Sequence, residues 1–260
     1  TGPDGRVTRE DVLRAAGRSE GAQEPAAEDG DEERVPVRGV RRLIAQKMVR
    51  SWTEIPHVTT FHTADATHVE ALRREIAAAA GTKVSALAVV VRALADVCAR
   101  HPKLNSSYDT DAGEMVIKRR VHVGIATDTE RGLMVPVVRD VGTKGIAEVA
   151  EDIAEVVETA RAGRATPDQL TGSTITVTNV GTFGSSFGTP IINYPEAAIL
   201  ALGRVEPRTV LREGKVEASP GVTLSLSFDH RIIDGADADR AMSDLRMLLE
   251  DPARLSSLPR

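Results

Sequence analysis

With a single cysteine in 260 residues, the chain cannot close a disulfide within itself. Cys98 sits in the apolar helical pattern Ala95-Asp96-Val97-Cys98-Ala99, where the ordinary reading is a small buried hydrophobe and a reactive thiol is the alternative. Aromatic residues make up 3% of the chain, so a core has to be built from Ala, Val, Ile and Leu. No apolar run approaches the roughly 20 residues of a membrane helix, and no signal-peptide pattern opens the sequence. The net charge of -5 argues against a general nucleic-acid or anionic-membrane surface. A reducing, cytoplasmic setting fits these absences.

What is present is ordinary for a soluble globular protein: 41% hydrophobic and 27% charged residues, in a chain long enough to bury a sizeable core. Residues 18–34 are acidic, rich in Ala, Gly and Glu, and lack apolar periodicity. Such a composition cannot offset the entropy of ordering, so it reads as a linker. It separates a head, residues 1–17, from a body of residues 35–260. The head carries a Pro3-Asp4-Gly5 turn and a short helix capped at Thr8. It is too small to enclose a core and reads as the end of a longer folded unit.

In the body, Val40, Leu43, Ile44, Met48 and Trp52 share one helical face that stops before Pro56. A strand is expected at 57–64. A helix follows over 67–80, with Thr67 and Glu70 at capping-box spacing and Gly81 as its stop. Ser85 is expected to cap the next helix, which ends near Pro102. Further strands are expected at 114–118, 121–127, 133–138, 174–178, 197–202, 209–211, 215–218 and 222–227, with helices at 146–161 and 236–250. The order predicts an α/β domain with a mixed sheet. Strands and helices do not alternate regularly enough for a doubly wound parallel sheet.

The stretch richest in chemistry is SLSFDHRIIDGADAD, residues 225–239. An apolar strand delivers Asp229, His230 and Arg231 to its end, and Asp234-Gly235 turns the chain into a helix. An imidazole so placed suits a general base, since proton transfer needs reach before it needs a matched pKa. A structural histidine is the plainer reading, with Asp229 and Asp234 as turn and cap residues. A metal reading is weaker: the other histidines form no second pair and HExxH is absent, so no metal is expected. Gly181, Gly184 and Gly188 in GTFGSSFG read as turn glycines, because no Lys-Ser/Thr follows them as in a phosphate loop.

His230-Arg231-Ile232-Ile233-Asp234-Gly235 resembles the HxxxDG motif of the 2-oxo acid dehydrogenase acyltransferases, the dihydrolipoamide acyltransferases, which chloramphenicol acetyltransferase shares. Residues 171–205 resemble the family's second signature nearly throughout. GLMVPVVRDV at 132–141 and IPHVT at 55–59 also match, and the head resembles the second half of a peripheral subunit-binding domain.

The resemblance implies a chloramphenicol-acetyltransferase-like two-layer α/β sandwich with a mixed sheet, trimeric, with active sites between subunits. It implies acyl transfer between a lipoyl thiol and coenzyme A. His230 would be the base, Thr178 the hydroxyl donor to the oxyanion, and Asp234 a carboxylate that holds the site, with Arg50 a candidate partner. On the residues alone Thr178 is an ordinary strand threonine. LSFDHR and TNVGTFG look closer to the branched-chain types.

None of the six lysines stands in the Asp-Lys-Ala context of a lipoylated lysine, so the lipoyl group is expected on a domain absent from this chain. The implied partners are coenzyme A, that lipoyl domain, the 2-oxo acid decarboxylase-dehydrogenase component and dihydrolipoamide dehydrogenase, with a homotrimer or larger cage. Nucleic acid and membrane are not among them. Two other readings stand beside this one: a catalytically silent core protein of such a complex, and an antibiotic-acetylating enzyme, which the head and linker disfavour.

Overall fold

The computed structural model describes residues 32–212 and 214–259. The head and nearly all of the linker lie outside the described residues. The compact unit is Gly39–Arg260. Its helices are α1 (Gly39–Glu54), α2 (Thr67–Ala80), α3 (Ala86–Arg100), α4 (Ile146–Arg161), α5 (Gly235–Glu250) and α6 (Pro252–Ser256). Its strands are β1 (His57–Asp65), β2 (Ser106–Asp109), β3 (Glu114–Ile117), β4 (Val123–Ala126), β5 (Val137–Val138), β6 (Ile175–Asn179), β7 (Ala198–Leu202), β8 (Glu206–Arg212) and β9 (Lys215–Asp229). No helix among the described residues is long and apolar enough to cross a membrane.

Seven strands form one sheet in the order β1-β9-β7-β6-β4-β5, with β8 beside β9; β2 and β3 form a separate ribbon. The sheet is mixed, as expected. β4, β6 and β7 run parallel, while β9 is antiparallel to β1, β7 and β8.

Because side chains alternate along a strand, Ile175 and Val177 of β6, Leu200 of β7 and Leu224, Leu226 and Phe228 of β9 face one side. They form the main core there with Leu72 and Ile76 of α2, Leu94 of α3, Val149 of α4 and Leu245 of α5. This is a two-layer sandwich with the helices on one face. α3 is its central member. The Ser85 side chain caps it by accepting from Ala88 N at 3.3 Å, and ten of its residues are buried. Cys98 is among them. Burial pushes its thiol up to about 12, which makes it a core residue with no thiolate chemistry at neutral pH.

Four expectations are corrected. Thr67 does not cap α2; Ala66 takes that position, while the Thr67 amide donates to Asp65 Oδ1 at 2.8 Å and Glu70 pairs with Arg73. The strands expected at 215–218 and 222–227 are one strand, β9. Pro220 stands opposite Pro207 in the β8 register, so the missing N–H breaks no ladder bond. The strand expected at 133–138 shrinks to Val137–Val138 and an isolated bridge between Thr127 and Met134. The α1 helix forms, but among the described residues its apolar face is only partly covered: Ile44 and Met48 are half-buried, Leu43 and Trp52 are each 65% exposed, and Ser51 is its buried residue.

Candidate active site

β9 ends in a run of nine buried residues, Gly221 to Asp229, and the next side chain, His230, is exposed. The backbone on either side of it is held firmly. Asp229 N donates to Ala197 O at 2.8 Å, His230 N to Pro56 O at 3.1 Å, and Ile233 N returns to Asp229 O at 3.0 Å. The buried Asp229 carboxylate grips the turn from inside. It accepts from Arg231 Nε at 2.9 Å, Arg231 Nη2 at 2.7 Å and the Arg231 amide at 3.0 Å. This paired geometry keeps the Arg231 guanidinium more firmly protonated than usual, and the same guanidinium sits 4.7 Å over the Tyr108 ring. Tyr108 belongs to β2, which the sequence reading missed because Ser106-Ser107-Tyr108-Asp109 has no apolar alternation. The His230 ring lies 5.6 Å from that of Phe228. A fixed backbone with a free imidazole edge can meet a ligand without first reorganising.

Asp234 occupies the N-cap position of α5 with extended backbone, but its side chain makes no capping bond and is exposed. The Arg50–Asp234 contact is not made within the chain. Arg50 instead donates to Glu54 at 2.9 Å and to the Tyr194 hydroxyl at 2.8 Å, and it stacks 4.0 Å over the Tyr194 ring. Glu54 lies one turn along the same helix, so the local pair wins.

Thr178 lies near the end of β6, half-buried, between Ala126 of β4 and Ala201 of β7. It lines two cavities. One, of about 610 Å³, carries Lys83, Asp128 and Arg161 beside Ile125 and Ile153. The other, of about 330 Å³, is mainly apolar, walled by Met48, Val135, Pro190 and Ile199. His230 lines neither. Gly181 and Gly184 shape the turn after β6. A Cβ on Gly181 would meet the Arg204 backbone at 2.7 Å, and Gly184 has φ +88°. Gly188 borders the smaller cavity with no such demand.

The sheet register fixes how far apart the two candidates are. Thr178 pairs with Ala201, and Ala201 with Ser225, five residues before His230. Five strand residues and two strand spacings put Thr178 and His230 about 19 Å apart. The two side chains of one chain therefore cannot meet around one reacting bond.

The sequence reading missed a polar cluster beside the smaller cavity. Glu196 is 2% exposed, and burial pushes its carboxyl up to about 7. It accepts from Asn193 Nδ2 at 2.6 Å and from Ser173 Oγ, while Asn193 Oδ1 accepts from Lys47 Nζ at 2.5 Å. Burial lowers the pKa of Lys47, and the charge of Glu196 partly offsets this. An acid set flush against the apolar run 197–202 is the signal that could have drawn attention to it.

A family model described as 2-oxoacid dehydrogenases acyltransferase (catalytic domain) matches residues 29–257. The dihydrolipoyllysine-residue acetyltransferase component of the pyruvate dehydrogenase complex of Staphylococcus aureus is 39% identical over 98% of this chain, and this chain spans 65% of its length. Among solved structures, a dihydrolipoamide acetyltransferase of Azotobacter vinelandii is 37% identical with a TM-score of 0.83, covering 88% of this chain and 96% of its own. The cubic core of a pyruvate dehydrogenase multienzyme complex is 36% identical, with the same TM-score and the same coverage. A chloramphenicol acetyltransferase, 14% identical with a TM-score of 0.51, shares the fold alone.

Proposed function

The chain belongs to the 2-oxo acid dehydrogenase acyltransferases, and from that premise we propose that it moves an acyl group between the dihydrolipoyl thiol of a lipoyl domain and coenzyme A. In this reading His230 takes the proton from the attacking thiol, and the thiolate adds to the thioester carbonyl carbon. The oxygen that becomes negative accepts a hydrogen bond from the Thr178 hydroxyl. Collapse of the tetrahedral adduct expels the other sulfur, which leaves with the proton held by His230. A free thiol is only a few per cent ionised at neutral pH, so a positioned base contributes roughly 10²–10⁴-fold. Losing the oxyanion donor costs on the order of 3–4 kcal/mol.

The observation that carries the reading is the separation of about 19 Å between Thr178 and His230 within one chain. It makes sense if each site takes its imidazole from one subunit and its hydroxyl from the next. The partly exposed apolar face of α1, with Leu43 and Trp52, supports such an association into a trimer or larger cage. The study of the Azotobacter vinelandii enzyme concerns the roles in catalysis of a serine, a histidine 52 positions later and an asparagine four further on. Thr178, His230 and Asp234 stand at the same intervals. A hydroxyl is kept at the first position. At the third an amide in the relative replaces the carboxylate, which fits a holding role for Asp234 better than proton transfer.

Residues 35–260 form the catalytic domain in this proposal, 18–34 a linker and 1–17 part of a subunit-binding domain. The lipoyl group comes on another domain, and the decarboxylase-dehydrogenase and dihydrolipoamide dehydrogenase are the partners of the whole protein in the cytoplasm. The test is turnover with acetyl, isobutyryl and succinyl thioesters of coenzyme A and free dihydrolipoamide. Transfer of at least one supports the reading, its rank order gives the acyl class, and no transfer of any by an assembled trimer contradicts it.

A further inference from the structure

The proposed reaction makes no use of Glu196, a deeply buried acid beside its site. Glu196 opens the segment leading into β7, and both of its oxygens are out of water. Asn193 Nδ2 and Ser173 Oγ reach one oxygen, and the other, Oε2, has no partner. Burying a carboxylate that is only half satisfied is costly, and an apolar side chain of similar size would pack there more cheaply. The geometry shows what the acid accomplishes.

The Lys47 ammonium can only donate, so it takes the Asn193 oxygen, and Glu196 Oε1 accepts from the amide nitrogen. The Asn193 amide between them therefore has one orientation, nitrogen toward Glu196 and oxygen toward Lys47 on α1. The same nitrogen donates to Thr176 Oγ1 at 3.2 Å. Thr176 and Thr178 are two apart on β6, so they project from the same face of the sheet, and both line the smaller cavity together with Asn193. A chain of contacts thus runs from Glu196 through Asn193 to the strand that carries the proposed oxyanion donor.

We propose that Glu196 is a positioning residue for acyl transfer: acting through Asn193 and Thr176, it sets the stretch of β6 that presents the Thr178 hydroxyl. This rests on the reading of Thr178 as the donor to the oxyanion. A Gln at position 196 keeps the shape but can turn an NH₂ toward Asn193, which removes the one-way polarity that fixes the amide. Small misplacements of a catalytic group cost up to about 100-fold in rate, so an effect of roughly 10- to 100-fold is expected.

The test uses the assembled protein with acetyl-coenzyme A and free dihydrolipoamide, and compares wild type, Glu196→Gln, Thr178→Ala and the double variant. Glu196→Gln is expected to lower kcat by about 10- to 100-fold and leave both KM values within about twofold. In the Thr178→Ala background the same change is expected to cost less than about twofold, because effects that pass through one group do not add. Full additivity would overturn the proposal.

Amide hydrogen exchange across 176–179 gives a second readout that needs no turnover. Exchange at least about tenfold faster in Glu196→Gln supports the proposed hold on β6, and unchanged protection overturns it. A fully active Thr178→Ala would sink the oxyanion reading alone, and the exchange result would still decide whether Glu196 holds this strand.

Discussion

Subunit mixing turns the sheet register into a quantitative prediction. If Thr178 and His230 of one chain are about 19 Å apart, neither can complete a site with the other, since reacting atoms must come within about 3–3.5 Å. Consider a His230→Ala chain co-expressed with a Thr178→Ala chain, each carrying its own tag. A site taking its imidazole from one subunit and its hydroxyl from the next is intact only where a Thr178→Ala chain gives the histidine and a His230→Ala chain gives the threonine. Random trimers from equal amounts of the two place an intact pair at about one interface in four. Each parent alone has none. Transfer from acetyl-coenzyme A to dihydrolipoamide should therefore return to about a quarter of the wild-type rate per chain. It should fall away on either side as the mixing ratio departs from one to one. Native mass spectrometry of the unselected mixture counts the mixed trimers. Mixed trimers present with no recovery above the two parents would refute the shared-site geometry.

Three further outcomes follow from individual residues. Glu196 holds its proton more tightly folded (about 7) than in its ordinary state (4.5), so its contribution to stability is full at low pH and is lost as pH rises between those values. That loss is on the order of 3 kcal/mol, and Glu196→Gln should be more stable than wild type at pH 8 but not at pH 4, checked by urea unfolding at both. Equal differences at the two pH values would contradict the buried-acid account. Asp234→Asn should keep both assembly and turnover within about fivefold, while Asp234→Ala should lower trimer yield, measured by light scattering, at least as much as kcat. A Cβ on Gly203 would stand 2.0 Å from Ser186 O, a backbone atom. Gly203→Ala should therefore cost about 3 kcal/mol, or roughly 6–12 °C of Tm, and an unchanged Tm would mean that the loop before β7 yields freely.

The helices were the readable part of the sequence, because α2 to α5 each press one apolar face on the sheet and that periodicity is written in the residues. α1 shows the limit of the same signal. Its apolar face is as regular, yet among the described residues Leu43 and Trp52 on it stay mostly exposed. Strand ends were harder. Ser219-Pro220-Gly221 reads as a turn, but β9 runs straight through it because Pro207 stands opposite. β2 carries no apolar alternation and forms only because β3 pairs with it.

His230 and Thr178 could be named from motifs, and their placement is a matter of register that no motif contains. The Arg50–Asp234 contact failed for a local reason, since Glu54 competes for the same guanidinium one turn away. The cluster of Glu196, Asn193 and Lys47 joins residues 146 positions apart and was legible only once the segment before β7 and α1 had been brought together.

The most direct measurement compares saturating turnover of the wild type and His230→Ala for acyl transfer between coenzyme A and dihydrolipoamide, on material shown to be equally assembled. The account predicts a fall in kcat of roughly 10²–10⁴-fold with little change in either KM. Equal rates in the two proteins, or an assembled wild type with no turnover at all, would contradict it.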